Sequence, residues 1–246
     1  MTIHTIDNVP IRFDNDWKNI AISVSGGADS ALLAYVLCNI ITTTNAATTV
    51  HIISHVRCWK TKPWQQHDAL NVFNYLVNKF PNIKFKRHTN FIAPELEYGN
   101  RGPILTDEYG KFVSGDNAEQ RGFAEYVCHT EDCQAYYNAV THNPRGIDLG
   151  GMKERDVEKT TDNIHLESIA MHIGRWALHP LRFVEKTWVI QQYQRSNITD
   201  LLSLTRSCEG VFPETDYKTY VPGQSVPTCG ECFWCKERAW AIEQSK

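Results

Sequence analysis

Apolar positions along the chain fall into short runs separated by polar, glycine-bearing stretches. Ile20-Ala-Ile-Ser-Val24 is a brief run rich in Ile and Val and reads as a strand, and Ala31-Leu-Leu-Ala-Tyr-Val-Leu37 reads as an amphipathic helix extending to about Ile41. Thr42 to Thr49 is a polar connector. Val50-His51-Ile52-Ile53-Ser54-His55-Val56 predicts a second strand, followed by a loop with Trp59, Pro63 and Trp64. From Gln65 to Phe80, residues Leu70, Phe73, Leu76, Val77 and Phe80 make one apolar stripe of a helix that Pro81-Asn82 ends, and Ile83 to His88 predicts a third strand. Strand-helix-strand-helix-strand order implies a parallel α/β sheet with right-handed crossovers.

Elsewhere the pattern is looser. Residues 1 to 19 read as a short leader that adds an edge strand. Asn90 to Asp116, rich in Gly, Asn and charge, predicts no regular structure. Ala118 to Cys128 predicts a helix, and Ala135 to Thr141 a core strand ending at His142-Asn143-Pro144. Arg145 to Asn163 reads as a surface loop. Helices are expected from about His165 to Ala177 and from Val184 to Arg195, with Leu178-His179-Pro180-Leu181 between them. Open α/β sheets bind ligands at the carboxyl ends of their strands, which puts Ser25 to Ser30 and the segments after Val56 and Thr141 around one crevice. The two long polar loops are candidates to close over it.

Composition adds bounds. With 246 residues the chain can bury one large core, or one core with an appendage. A net charge of −3 and a pI near 6.4 offer no general footprint for nucleic acid, so a nucleic-acid partner is not expected. Hydrophobic residues at 42% and a mean hydropathy of −0.40 describe an ordinary globule. No run approaches the roughly 18 apolar residues of a membrane span, and the N-terminus, with Asp7, Arg12 and Asp14, lacks a signal-peptide core. The expected compartment is the cytoplasm, with no membrane partner.

Between the first strand and helix lies Ser25-Gly26-Gly27-Ala28-Asp29-Ser30. The glycines allow a tight turn and close backbone approach to a ligand, and the helix directs unpaired N–H groups into it, which is an anion site. The Walker loop uses a Lys to reach the β- and γ-phosphates, and this loop has none. Its Asp29 would repel polyphosphate unless Mg²⁺ lay between them or the carboxylate held the loop through backbone N–H groups. A loop so built suits a departing pyrophosphate. It resembles the SGGxDS signature of the N-type ATP pyrophosphatases, or PP-loop enzymes. That resemblance implies a Rossmann-like (adenine nucleotide alpha hydrolase-like) fold and cleavage of ATP between the α- and β-phosphates to adenylate a substrate oxygen. The alternative for the residues alone is a Gly-Ser turn without a ligand.

Eight cysteines in a chain expected in the cytoplasm read as thiols or metal ligands rather than disulfides. Cys38, Cys58, Cys128 and Cys133 are scattered. Cys229-Gly-Glu-Cys232-Phe-Trp-Cys235, with Cys208 upstream, supplies four thiolates for one tetrahedral centre. Zn²⁺ is the preferred ion, in a closed structural site; an iron–sulfur cluster and unrelated buried thiols are the alternatives. Ser207-Cys208, Cys229-Gly230-x-Cys232-x-x-Cys235 and Arg238 resemble the zinc motif of the 7-cyano-7-deazaguanine synthases of queuosine biosynthesis. Pro180-Leu181, Lys186 and Gln66-His67 fall where that family has a Pro-Leu pair, a Lys and a Gln-x-His segment. Two stretches depart from it: Lys62-Pro63-Trp64-Gln65 replaces a Tyr- and Gly-bearing segment, and Ile147-Asp148-Leu149-Gly150-Gly151-Met152 stands roughly where the family has Gly-Tyr-Pro-Asp-Cys-Arg.

The resemblance implies ATP with Mg²⁺ over Ser25, Gly26, Gly27, Asp29 and Ser30, with Asp29, Ser30 and Lys186 in catalytic roles. A small-molecule carboxylate, such as 7-carboxy-7-deazaguanine, would be adenylated and attacked by ammonia or an amine. Residues 1–200 would form the ATP-binding α/β domain and 201–246 the small zinc-binding segment, with a homodimer as an assembly open to the chain. Lys186 is equally an exposed helix Lys. Trp59 and Trp64 read as packing, with stacking on a base as the alternative, and His51, His55, His67, His142 and His165 read as isolated histidines. Two other functions stay open: a tRNA- or protein-modifying enzyme of the same fold, for which Cys58 is the only candidate reactive thiol in the crevice, and a nucleotide-binding module without turnover.

Overall fold

The computed structural model describes residues 2–56, 64–91, 105–106, 112–113, 115–149, 176–209, 221 and 226–246. In chain order the elements are β1 (Thr2–Ile6), β2 (Val9–Phe13), β3 (Asn19–Ser23), α1 (Ala28–Thr44), β4 (Thr49–Val56), α2 (Gln65–Lys79), β5 (Lys84–Phe91), β6 (Leu105–Thr106), β7 (Phe112–Val113), α3 (Gly115–Thr130), β8 (Ala135–Tyr137), β9 (Trp176–Leu178), α4 (Lys186–Arg195), α5 (Thr199–Ser203) and α6 (Phe233–Glu243). Five strands form one parallel sheet in the order β5-β4-β3-β8-β9, giving the expected Rossmann-like α/β architecture. The chain builds outward from β3 on one side, then crosses to build β8 and β9 on the other. The crevice between β3 and β8 is therefore the topological switch point, where such sheets take their ligands.

Alternation along β3 and β4 divides the core. Ile20, Ile22, Val50 and Ile52 join α1, α2 and α4 in the larger cluster, whereas Ala21 and Ile53 pack with Ala124, Val127 and Cys128 of α3. Strands buried on both faces need apolar residues at both parities, which is why these runs look continuous rather than alternating. Helix α1 is not the amphipathic surface helix its pattern suggested. Ala31, Leu32, Leu33, Ala34, Val36, Leu37 and Cys38 are all buried, because α1 is enclosed by the sheet and neighbouring helices.

Several boundaries differ from expectation. The leader is a hairpin of its own: β1 pairs antiparallel with β2 across Asp7-Asn8, both at positive φ, and it buries Ile11 and Phe13 in the core instead of extending the main sheet. Strand β8 stops at Tyr137, after which Asn138 N–H donates to Leu178 and His142 N–H to Val184. Trp176 and Ala177, expected to end a helix, are strand residues paired with Ala135 and Tyr136. Residues 165–175 of that expected helix, most of the 90–116 stretch, Cys58 and Trp59 lie outside the described residues. Helix α5 spans residue 200, and α6 packs against α4. Among the described residues no helix is long and apolar enough to cross a membrane.

Leu33 is fully buried between sheet and helices. Leu33→Ala is expected to cost about 2–5 kcal/mol of unfolding free energy, read from a shifted denaturant midpoint at unchanged slope.

Candidate active site and metal centre

Strand β3 delivers the chain into the turn, and the turn opens onto the N-terminus of α1. Gly27 is the N-cap and has no side chain to satisfy the helix's first N–H groups, which leaves them available to an anion. Ser30 Oγ donates to Gly27 O at 3.1 Å and accepts from Ser25 N–H at 3.2 Å, so the turn is closed by its own hydroxyl. Gly26 sits at φ +81°, and a Cβ there would lie 2.7 Å from Asp68 Cβ and 2.8 Å from Ala69 N. Its carbonyl accepts from Arg206 N–H at 2.9 Å. The turn is thus wedged between the start of α2 and the chain leaving α5.

Asp29, in the first turn of α1, meets Lys186, the first residue of α4, at 2.5 Å between Oδ2 and Nζ. The ammonium also lies 3.7 Å from Glu237 Oε2 on α6. Lys186 and Glu237 side chains are only 3% and 1% exposed, so the residue read equally as an exposed helix Lys is a buried one held by two carboxylates. Asp29 Oδ1 is buried without a hydrogen-bond partner among the described residues, and so is Asp68 Oδ2. Hard, orphaned carboxylate oxygens are the donors that Mg²⁺ takes, and the residues present fit that ion. Burial pushes the Asp68 carboxyl up to about 6 against the lowering effect of Arg206, His67 and Arg238.

Asp29, Asp68, Lys186 and Arg206 line a cavity of about 350 Å³ at the carboxyl ends of the strands, reached also by Ser25, His55, Asn138 and Cys208, while Glu237 backs Lys186 from outside the lining. Ser25, Gly27, Asp29, Ser30 and Lys186, named from the sequence, are brought together there. Sequence reasoning missed Asp68, Arg206 and Glu237. Arg206 lies over the Trp64 ring at 4.2 Å and donates to the carbonyls of Val226 and Pro227. Trp64 is therefore a wall of the cavity as well as packing; Gln66 and His67 stand half-exposed outside it.

The four cysteines converge as the spacing predicted: the sulfurs of Cys208, Cys229, Cys232 and Cys235 all lie within 4.8 Å of one another. Cys229 Sγ is 3.6 Å from Cys208 Sγ and 3.9 Å from Cys235 Sγ. Four sulfurs about 2.3 Å from one tetrahedral ion stand roughly 3.8 Å apart, so the set fits a single metal ion. Burial opposes the Cys229 thiolate, yet the backbone N–H groups of Cys232 and Glu231 bring it down to about 6. Cys232 is the N-cap of α6 and Cys235 lies in its first turn. The centre therefore fixes the helix that carries Glu237 to Lys186 and Arg238 to the carbonyls of Leu202 and Thr205.

Of the histidines, His55 lines the cavity and packs edge-on against Phe123, His142 Nδ1 contacts Asn143 O at 2.6 Å, and His165 lies outside the described residues. His51 is not isolated. It meets His88 and Glu131 in a second cluster away from the cavity. Burial drives His51 down to about 4 and lowers His88.

No protein-family profile matches the sequence, and no curated protein matches it. Among solved structures the chain is similar to the U34-tRNA thiolase NcsA from Methanococcus maripaludis with its 4Fe-4S cluster. The identity is 13%, the match covers 92% of this chain and 65% of that one, and the TM-score is 0.46. The chain thus spans just under two thirds of that protein's length.

Gly26→Ala is expected to destabilise the fold, read as a lowered midpoint in a denaturant melt, since its methyl meets α2 backbone at a φ that L residues resist. Asp68 binds its proton more tightly folded than unfolded. Its contribution to stability is then full below the ordinary carboxylate range and is lost as pH rises through about 6. Asp68→Asn should flatten that decline between about pH 4 and 6 in a series of denaturant melts.

Proposed function

We propose that the chain is a PP-loop ATP pyrophosphatase of the 7-cyano-7-deazaguanine synthase type. It would form AMP and pyrophosphate while adenylating a carboxylate for attack by ammonia or an amine. The observation that supports this most is the buried Asp29–Lys186 pair at the mouth of a turn with no Walker lysine. Formally, Asp29, Glu237 and Lys186 sum to one negative charge in a site shaped for polyphosphate, a balance that calls for a divalent cation. Asp29, and Asp68 in the same cavity, would hold Mg²⁺, which would neutralise phosphate charge and favour departure of pyrophosphate. The N–H groups at the start of α1 and the hydroxyls of Ser25 and Ser30 would hold that leaving group. Lys186 keeps Asp29 in place and adds positive charge beside the phosphates. Arg206, spread over Trp64, supplies a second cation.

In this reading the four cysteines hold Zn²⁺. All four ligands come from protein, so the ion contributes folding energy to the segment around α6 and leaves no open position for water. The carboxylate substrate would enter between the turn and the segment after β8, where Asn138, Ala139 and Val140 face the cavity.

The acceptor is tested by incubating the chain with ATP, Mg²⁺, ammonium and 7-carboxy-7-deazaguanine and seeking AMP and the nitrile by mass spectrometry. One adenylation and attack by ammonia give the amide, and a second adenylation, on the amide oxygen that then leaves as AMP, gives the nitrile, so two AMP per nitrile are expected; absence of both amide and nitrile while AMP forms would redirect the search to a tRNA or protein acceptor. Asp29→Ala should lower ATP-dependent pyrophosphate release about 10²–10³-fold with the fold intact, since Lys186 keeps Glu237. Lys186→Met strands two carboxylates and should cost about 3–5 kcal/mol of stability in a denaturant melt.

A further inference from the structure

We infer that His51, His88 and Glu131 form a second metal site, for a borderline divalent transition ion such as Zn²⁺, on the sheet face covered by α3. The three residues come from β4, β5 and the turn after α3, and their ligand atoms lie within 4.8 Å of one another. His51 pairs in register with Ala21 on β3, well before the turn at Ser25, so this cluster is separate from the nucleotide cavity. Nothing in the proposed ATP chemistry uses it.

The donor set is the right chemistry. His51 Nδ1 and His88 Nε2 are 3.1 Å apart, and two nitrogens bound to one tetrahedral Zn²⁺ at 2.0–2.1 Å stand about 3.3 Å apart. The rings lie nearly parallel, 17° apart with centroids 5.3 Å from each other, and approach through those two nitrogens. Glu131 approaches from the side, with Oε2 3.9 Å from His51 Nδ1 and Oε1 4.0 Å from His88 Nε2. An ion entering from the Glu131 side would bind after a small tilt of each ring and a rotation of the carboxylate. The other nitrogen of His51, Nε2, lies 3.2 Å from Asn19 Oδ1. Donation to that oxygen fixes the proton on Nε2 and leaves the Nδ1 lone pair for metal, which is how ligating histidines are oriented by their outer partners.

A cation already answers Glu131: Lys86 from β5 forms an ion pair with it. The Lys86 side chain is 43% exposed, so it can swing into solvent when a divalent ion takes its place. Once bound, the ion would clip the end of α3 to β4 and to the edge strand β5.

The test is Zn²⁺ uptake by the full chain in equilibrium dialysis with elemental analysis, which counts this ion alongside any at the four cysteines. His88→Gln and Glu131→Gln should each bind one ion per chain fewer, or bind it at least tenfold more weakly, with wild-type circular dichroism. Lys86→Met should bind that ion severalfold more tightly, because the competing ammonium is gone. Equal uptake by wild type and both ligand variants would overturn the proposal and leave the cluster a hydrogen-bonded histidine pair; so would unchanged or weaker binding by Lys86→Met. Should His88→Gln fail to fold, Glu131→Gln and Lys86→Met still decide the question.

Discussion

The ion triad of Asp29, Lys186 and Glu237 ties the structure together. An ammonium that is only 3% exposed must be answered by charge, and it is answered from two directions, by the first turn of α1 and by α6. Removing charge from water costs several kcal/mol per ion, so the three elements must arrive in register or the arrangement fails. Tyr193 on α4, donating to Ala28 O at 2.7 Å, joins the same helices in a second place. The Ser25–Ser30 turn, the far helix and the cysteine centre are consequently parts of one device.

The cysteine centre gains a role from this. A closed tetrahedral metal there would do no chemistry on water, but the cysteine set holds the N-terminus of α6 and so bears on the position of Glu237 two residues beyond Cys235. A metal there would act on the Asp29–Lys186 pair through the backbone of that helix. Arg206 and Cys208, two residues apart, show the same economy: one braces Gly26 and lies on Trp64, the other joins the metal set.

What the sequence made legible was what neighbours in sequence determine. The strand-turn-helix around Ser25 to Ser30, the strand-helix-strand after it and the cysteine spacing all depend on local pattern, and the structure has them. Interactions between distant segments were not legible. Lys186 reads equally as a functional residue and as an exposed helix Lys because α4 has a polar composition, and nothing near it in sequence announces Asp29 or Glu237. His51 and His88 sit on different strands, so no spacing rule joins them. Gly26 is readable as a tight turn, yet only the fold reveals that α2 backbone fills the place of its missing side chain. The hairpin of Thr2–Phe13 was misjudged as an edge strand because its apolar side points at the core rather than along the sheet.

The proposed chemistry turns on which phosphate bond of ATP breaks. Phosphorus NMR of ATP with Mg²⁺, ammonium and a carboxylate acceptor, followed over a full turnover course, reads that bond directly. The arrangement around Asp29 and Lys186 predicts AMP and pyrophosphate in equal amounts with no ADP. Accumulation of ADP and orthophosphate would contradict it.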